Sequence, residues 1–326
     1  MKLGVFTNLY RNLPLDEALA LYESLGIEAV ELGAGGNPGN HHCNPEVLLA
    51  DEGALAEWLE TIKKHNMTIA ALSVHGNPVH PDPEIAARDH RDFVNAVLLA
   101  EKIGVDTIVT FSGCPGGAPG DKTTNWVTCT WPTMYSDILE YQWNDVLIPY
   151  WREAAAFAKA HGVNKIALEM HPGFTVYNPT TLLRLREAVG DVIGANLDPS
   201  HLIWQGVDIV AAIRALRGAI YHFHAKDTKI DRYNCAVGGV LDTKRYGNVA
   251  ERSWIFRSVG FGHGMEFWRE IISELRTNGY DGVLSIEHED ALMSKYEGLS
   301  YAATFLRQSL MKEPSPTEFA WEKSFK

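Results

Sequence analysis

Two stretches of one pattern decide the fold: "ALALYESLGIEAVEL" (18–32) and "FVNAVLLAEKIGVDTIVT" (93–110). Each sets apolar residues at helical spacing, breaks at a glycine (Gly26, Gly104) and restarts at once as a short apolar run. Helix, glycine-bearing turn, then strand is the signature of a parallel sheet, because the glycine ends the helix in a left-handed turn that bulkier residues resist. Working outward, strand-like runs recur at 2–7, 29–32, 68–75, 107–112, 165–170, 193–198, 219–225 and 282–288. Amphipathic helical stretches fall between and after them, at 15–25, 51–65, 86–103, 143–161, 179–188, 206–216, 265–278 and 295–311. Eight such units predict an α/β fold, a closed (β/α)8 TIM barrel, as one domain over 1–311 with a C-terminal extension at 312–326.

Two segments break the rhythm, 113–142 and 226–264, and are read as insertions after strands four and seven. Both follow strands, which puts them on the carboxyl-end face where barrel enzymes build their sites. Trp126, Trp131 and Trp143 in or beside the first, and Trp254 and Phe256 in the second, are candidates for an apolar cover.

The composition excludes several classes. With 29 basic against 41 acidic residues the net charge is −12, which opposes binding to a phosphate backbone, so no nucleic-acid partner is expected. No run of eighteen apolar residues occurs, so no membrane span is expected. The start "MKLGVFTNLY" reads as strand and lacks the layout of a signal peptide. Cys43, Cys114, Cys129 and Cys235 are scattered without a CxxC, which suits reduced thiols in a cytoplasm. "GAGGNPGNHH" (33–42) has no nucleotide-loop spacing and reads as a turn at the barrel rim.

The polar residues cluster where the later strands end. Strand five closes in "LEMH" with Glu169, strand six in "LDPSH" with Asp198 and His201, strand seven in "HFHAKD" with His224, and strand eight in "IEHED" with Glu287. In strand seven the alternation puts His222, His224 and Lys226 on one face and Tyr221, Phe223 and Ala225 on the other. Three carboxylates converging on one mouth would repel one another unless a cation neutralised them, so the set reads as a divalent metal site. Oxygen ligands with one imidazole suit manganese first, with magnesium, cobalt or zinc as alternatives.

The eight-unit pattern with Glu169, Asp198-x-x-His201, the His222-x-His224 strand, "GFGHGMEFW" (260–268) and the final Glu287 resembles the xylose isomerase-like barrel superfamily of sugar isomerases and epimerases. The resemblance spans nearly the whole chain. It implies that Glu169, Asp198, His224 and Glu287 bind the metal, that His201 touches a substrate hydroxyl, and that His222 supports His224 from below. By resemblance to the ketose 3-epimerases, Glu169 and Glu287 would be the catalytic bases, moving a proton beside a carbonyl from opposite faces of the sugar.

His75, His171, Lys226 and Trp126 are the remaining candidates for contact with substrate. Lys226 has two readings, an oxyanion partner or a rim residue paired with Asp227. Where such epimerases carry an arginine past strand seven, this chain has Ile230, so its grip on the substrate differs. The long second segment points to a larger substrate such as a glycoside, or to a partner chain: a homo-oligomer, or a hetero-oligomer with a small subunit. Two alternatives follow. One is β-elimination on a 3-keto-glycoside, which the chain's similarity to the large subunits of C-glycoside deglycosidases implies, and the other a metal-free sugar-binding barrel. The nuclease branch is disfavoured, because Ser112 and "FRS" (256–258) stand where its further metal ligands would be.

Overall fold

A computed structural model describes residues 1–313. Eight parallel strands close a barrel: β1 (Lys2–Phe6), β2 (Ala29–Gly33), β3 (Thr68–Ser73), β4 (Thr107–Thr110), β5 (Lys165–Glu169), β6 (Ile193–Leu197), β7 (Ile220–Ala225) and, after a hairpin of β8 (Asp227–Ile230) and β9 (Trp254–Arg257), β10 (Val283–Ile286). Consecutive barrel strands are neighbours, and β10 pairs with β1 in the register Lys2 to Val283 through Val5 to Ile286, which closes the sheet. Of the expected extension 312–326, residues 314–326 lie outside the described residues.

The two diagnostic stretches fold for the reasons their residues supply. Asp82 caps the helix Pro83–Ile103 by accepting the Glu84 N–H at 2.9 Å, Pro83 fills its first turn, and Gly104 ends it at φ +72°. Gly26 turns the chain into β2 at φ +69°. The helices pack their apolar faces on the outside of the barrel. In Met265–Thr277 these are Trp268, Ile271, Ile272 and Leu275, at i, i+3, i+4 and i+7. Trp268 is fully buried and meets Phe223 of β7 edge-on at 6.5 Å between ring centres. Full burial of one such side chain is worth about 1.5–3 kcal/mol. Among the described residues no helix is long and apolar enough to cross a membrane.

The structure departs from the sequence-based expectation in four places. The helix expected over 143–161 is α-helical only from Ile148 to Ala160 and is preceded by a wider π-type turn over Tyr141–Leu147. Pro149 sits in the first α-helical turn, where its missing N–H costs least. Met134–Glu140 is a further short helix, and Pro45–Ala50 another. The segment 226–264 contains the antiparallel hairpin β8–β9, with Asp227 opposite Arg257 and Ile230 opposite Trp254. Finally, Tyr221 does not join the outer face of β7. The register against β6 slips at Ala195/Asn196, and the Tyr221 ring packs with Ala71, Val109 and Ala167, the small residues of the barrel interior. A side chain on Gly194 would meet that ring at 2.3 Å, so only glycine leaves it room.

Asp227 explains the "GFGHG" motif physically. Its carboxylate is fully buried and accepts the backbone N–H groups of Gly260, Gly262 and His263 at 3.2, 3.1 and 2.8 Å, with the Trp268 indole N–H at 3.2 Å. A Cβ on Gly262 would lie 2.3 Å from Asp227 Oδ1. The loop is therefore folded around one carboxylate, and Lys226 is left without it as a partner.

A candidate metal centre at the carboxyl end of the barrel

Glu169 ends β5, Asp198 follows β6 and caps the short helix Pro199–Ile203, His224 lies in β7, and Glu287 follows β10. These four come together, each offering a ligand atom within 4.8 Å of the others. His224 Nδ1 is at their centre: 3.0 Å from Glu287 Oε2, 3.4 Å from Glu169 Oε2 and 4.0 Å from Asp198 Oδ2. Asp198 Oδ2 and His224 Nδ1 are both buried without a hydrogen bond among the described residues, and make ion-pair contacts only. Buried polar atoms are normally satisfied. Two ligand atoms with ion-pair contacts alone, among three carboxylates, are a donor set that could hold a divalent cation, and its oxygen-rich character fits the hard to borderline ions.

The other nitrogen of His224 is fixed from below by Glu31, which lies in the interior of β2 and is fully buried. Its carboxylate oxygens are 3.0 and 2.9 Å from His224 Nε2, and one is 2.9 Å from His222 Nε2. Ser73 and Ser285 donate their hydroxyls to it, Ser285 at 2.7 Å. Burial would raise the Glu31 carboxyl, but His224 and His222 outweigh it and hold the group well below the usual carboxylate range. The sequence reading missed Glu31. The only signal in the sequence is that it is the one charged residue in the apolar run of β2, which marks it as unusual without naming its partners. His222 belongs to this lower layer, touching Glu31 rather than the four converging groups.

The remaining sequence candidates divide. His75 Nε2 is 3.0 Å from Glu169 Oε2, and His201 Nε2 is 3.2 Å from Glu169 Oε1 and 3.4 Å from Asp198 Oδ2. Burial opposes ionising Glu169, yet His201 and His75 hold it well below the usual carboxylate range. Burial, with His201 beside it, pushes His171 down to about 4. Lys226 is not at the rim. It is fully buried, with Nζ 3.1 Å from Asp198 Oδ2, 2.8 Å from Glu287 Oε2 and 3.0 Å from Glu289 Oε2, and it lies over the Phe256 ring at 4.7 Å. Burial opposes its charge, but Asp198, Glu287 and Glu289 raise it well above an ordinary lysine. Burial pushes Asp198 up to about 6 despite Lys226.

A cavity of about 340 Å3 opens onto this cluster between Phe6, His75, Phe111, His171, Phe174 and Lys226. Of the aromatic cover expected from the sequence, Phe256 faces His201 and Lys226. Trp131 is exposed and Trp143 is buried in the main core, so neither shields the mouth. Trp126 lines a neighbouring cavity instead.

Comparison with known proteins agrees with the barrel fold. The chain is 42% identical over 313 residues, 95% of its own length and 99% of the relative's, to the uncharacterized protein YfiH of Bacillus subtilis (strain 168). Its fold is similar to that of D-psicose 3-epimerase from Clostridium cellulolyticum H10, solved with D-tagatose (TM-score 0.61, 16% identity, covering 95% of this chain and 98% of that one). It is likewise similar to the IOLI protein solved with a zinc atom (TM-score 0.64, 22% identity, 95% and 98%). Residues 19–309 match the model of the xylose isomerase-like TIM barrels, and the chain belongs to that family.

Proposed function

We propose that this barrel is a divalent-metal-dependent sugar isomerase or epimerase, which moves a proton at the carbon beside a carbonyl. The observation that carries the reading is that Glu169 Oε2 and Glu287 Oε2 lie 3.4 and 3.0 Å from His224 Nδ1 and that both residues line the cavity. Glu169, Asp198, His224 and Glu287 would hold the ion, which supplies Lewis-acid stabilisation of negative charge on the substrate oxygens. Manganese is the ion we favour; the IOLI likeness keeps zinc in view.

Within that frame Glu169 and Glu287 are the residues that take and return the carbon-bound proton. The cluster holds both as carboxylates, Glu287 being lowered to about 2 by Lys226 and His224 against its burial. His201 and His171 meet at 4.0 Å between ring centres and offer hydrogen bonds to sugar hydroxyls. Phe6, Phe111, Phe174 and Phe256 keep bulk water from the reacting carbon.

The test is solvent labelling. In deuterated water with free ketoses, the enzyme should place deuterium at the carbon next to the carbonyl, and Glu169→Gln and Glu287→Gln should each abolish turnover. Full activity in both variants would reject the reading. A β-elimination on a keto-glycoside begins with the same proton removal, and the aromatic cavity beside the cluster favours it as the second reading. Release of the leaving group without return of a labelled sugar would identify it.

A further inference from the structure

We infer that the substrate carries a second ring, bound in a compartment of its own beside the metal cluster, so that the enzyme acts on glycosides in preference to free monosaccharides. This rests on the reading above for the first ring. The compartment is a cavity of about 340 Å3, as large as the one over the cluster, and His171 and His201 line both. A ligand spanning the two would keep its reacting sugar on Glu169 and Glu287 and its second ring past the two histidines.

The walls are those of a ring-binding site. Trp204 and Trp254 stack at 4.7 Å with their planes 4° apart, and Tyr246 stands across from Trp254 at 6.0 Å. Trp126 closes another side, itself braced edge-on by Tyr177 at 5.6 Å. Buried Arg252 pins the hairpin side, its guanidinium 4.3 Å from the Tyr246 ring and 4.5 Å from the Trp254 ring, with its Nε donating to the Trp254 carbonyl at 3.1 Å. The rings are thus held in place before any ligand arrives, which lowers the entropic cost of binding.

Trp204 and Trp254 are themselves buried, at 5% and 4% exposure, so they form the floor of the compartment. One further observation points to a ligand. Leu241 and Tyr246, at the rim of the same cavity, are 65% and 56% exposed, apolar surface that a bound ring would cover. Asp242 also lines the cavity, but its oxygens are taken by the N–H groups of Ser253 and Lys244, so it supports the hairpin. The chemistry selected is a ring with an apolar face, either a phenolic ring or a second pyranose.

Equilibrium titration of the whole protein with methyl β-D-glucoside, 4-nitrophenyl β-D-glucoside and cellobiose tests this. A ring-bearing probe should bind about tenfold or more tighter than the methyl glucoside, the scale expected of one aromatic stacking contact. Leu241→Asp and Leu241→Lys, at an exposed position away from the cluster, should each remove most of that increment while the methyl glucoside affinity stays within about twofold. The better of the two ring-bearing probes identifies the source of the ring. Equal affinity for all three, no measurable binding of either ring-bearing probe, or an increment that survives both substitutions would overturn the inference. No turnover is needed, so failure here with deuterium labelling of free ketoses intact removes the second compartment alone. An increment without labelling removes only the proton-transfer reading.

Discussion

Glu31 holds His224 by its Nε2 at 2.9 Å, and this turns Nδ1 of the same ring toward Glu169, Asp198 and Glu287. A carboxylate behind an imidazole fixes its tautomer and raises its basicity as a ligand. Replacing Glu31 by Gln keeps the volume and loses the charge. Affinity for a divalent ion should fall about 10- to 100-fold, as for other partners behind a metal-bound histidine. Titration calorimetry with manganese on the folded variant measures it, and an unchanged affinity would remove Glu31 from the account.

Lys226 presents the opposite case. Its ammonium contacts Asp198 Oδ2 and Glu287 Oε2, groups of the candidate cluster, and so competes with a cation for their charge. Lys226→Met should therefore bind a divalent ion more tightly, by about tenfold. Turnover should drop in the same variant, because the cation facing the cavity is gone. Weaker ion binding after this substitution would mean that Lys226 supports the site by packing.

How much of this was legible in the sequence follows the range of the forces involved. The barrel strands and most helices are set by local period and by glycines such as Gly26 and Gly104, which act within a few residues. The convergence of Glu169, Asp198, His224 and Glu287 was legible because each stands at the end of its own strand, while their choice as one ligand set came from the family resemblance. Glu31 was not, since its partners His222, His224, Ser73 and Ser285 come from three other strands and only the closed barrel assembles them. The slip that turns Tyr221 inward was hidden too, because it depends on the space above Gly194 in the neighbouring strand.

Away from the site, His65, at the end of the helix Glu52–Lys64, ties it to the helix Leu15–Ser24, with Nε2 2.9 Å from Asp16 Oδ1 and Nδ1 3.0 Å from Glu23 Oε2. The Asp16 hydrogen bond, helped by Glu23 and opposed by burial, raises its pKa above 6.5. A raised folded value means that the stabilisation is fully present below the unfolded value and is lost as pH rises through the folded one. The two carboxyls are lowered, so the contribution also disappears when acid protonates them. The gap in unfolding midpoint between wild type and His65→Gln should thus be wider near about pH 6 than near about pH 9, and should shrink in high salt. A gap independent of pH would show that His65 acts through packing.

The most direct test of the central claim is anomalous diffraction from crystals grown with manganese. Among the described residues three groups could hold an ion: Glu31 with His222 and His224, Glu169 with His171 and His201, and the quartet Glu169, Asp198, His224 and Glu287. The account predicts one strong peak bounded by the quartet, with His224 bound through Nδ1 and Glu31 still on Nε2. A peak in either of the other groups without one in the quartet, or no peak in crystals of active protein, would contradict it.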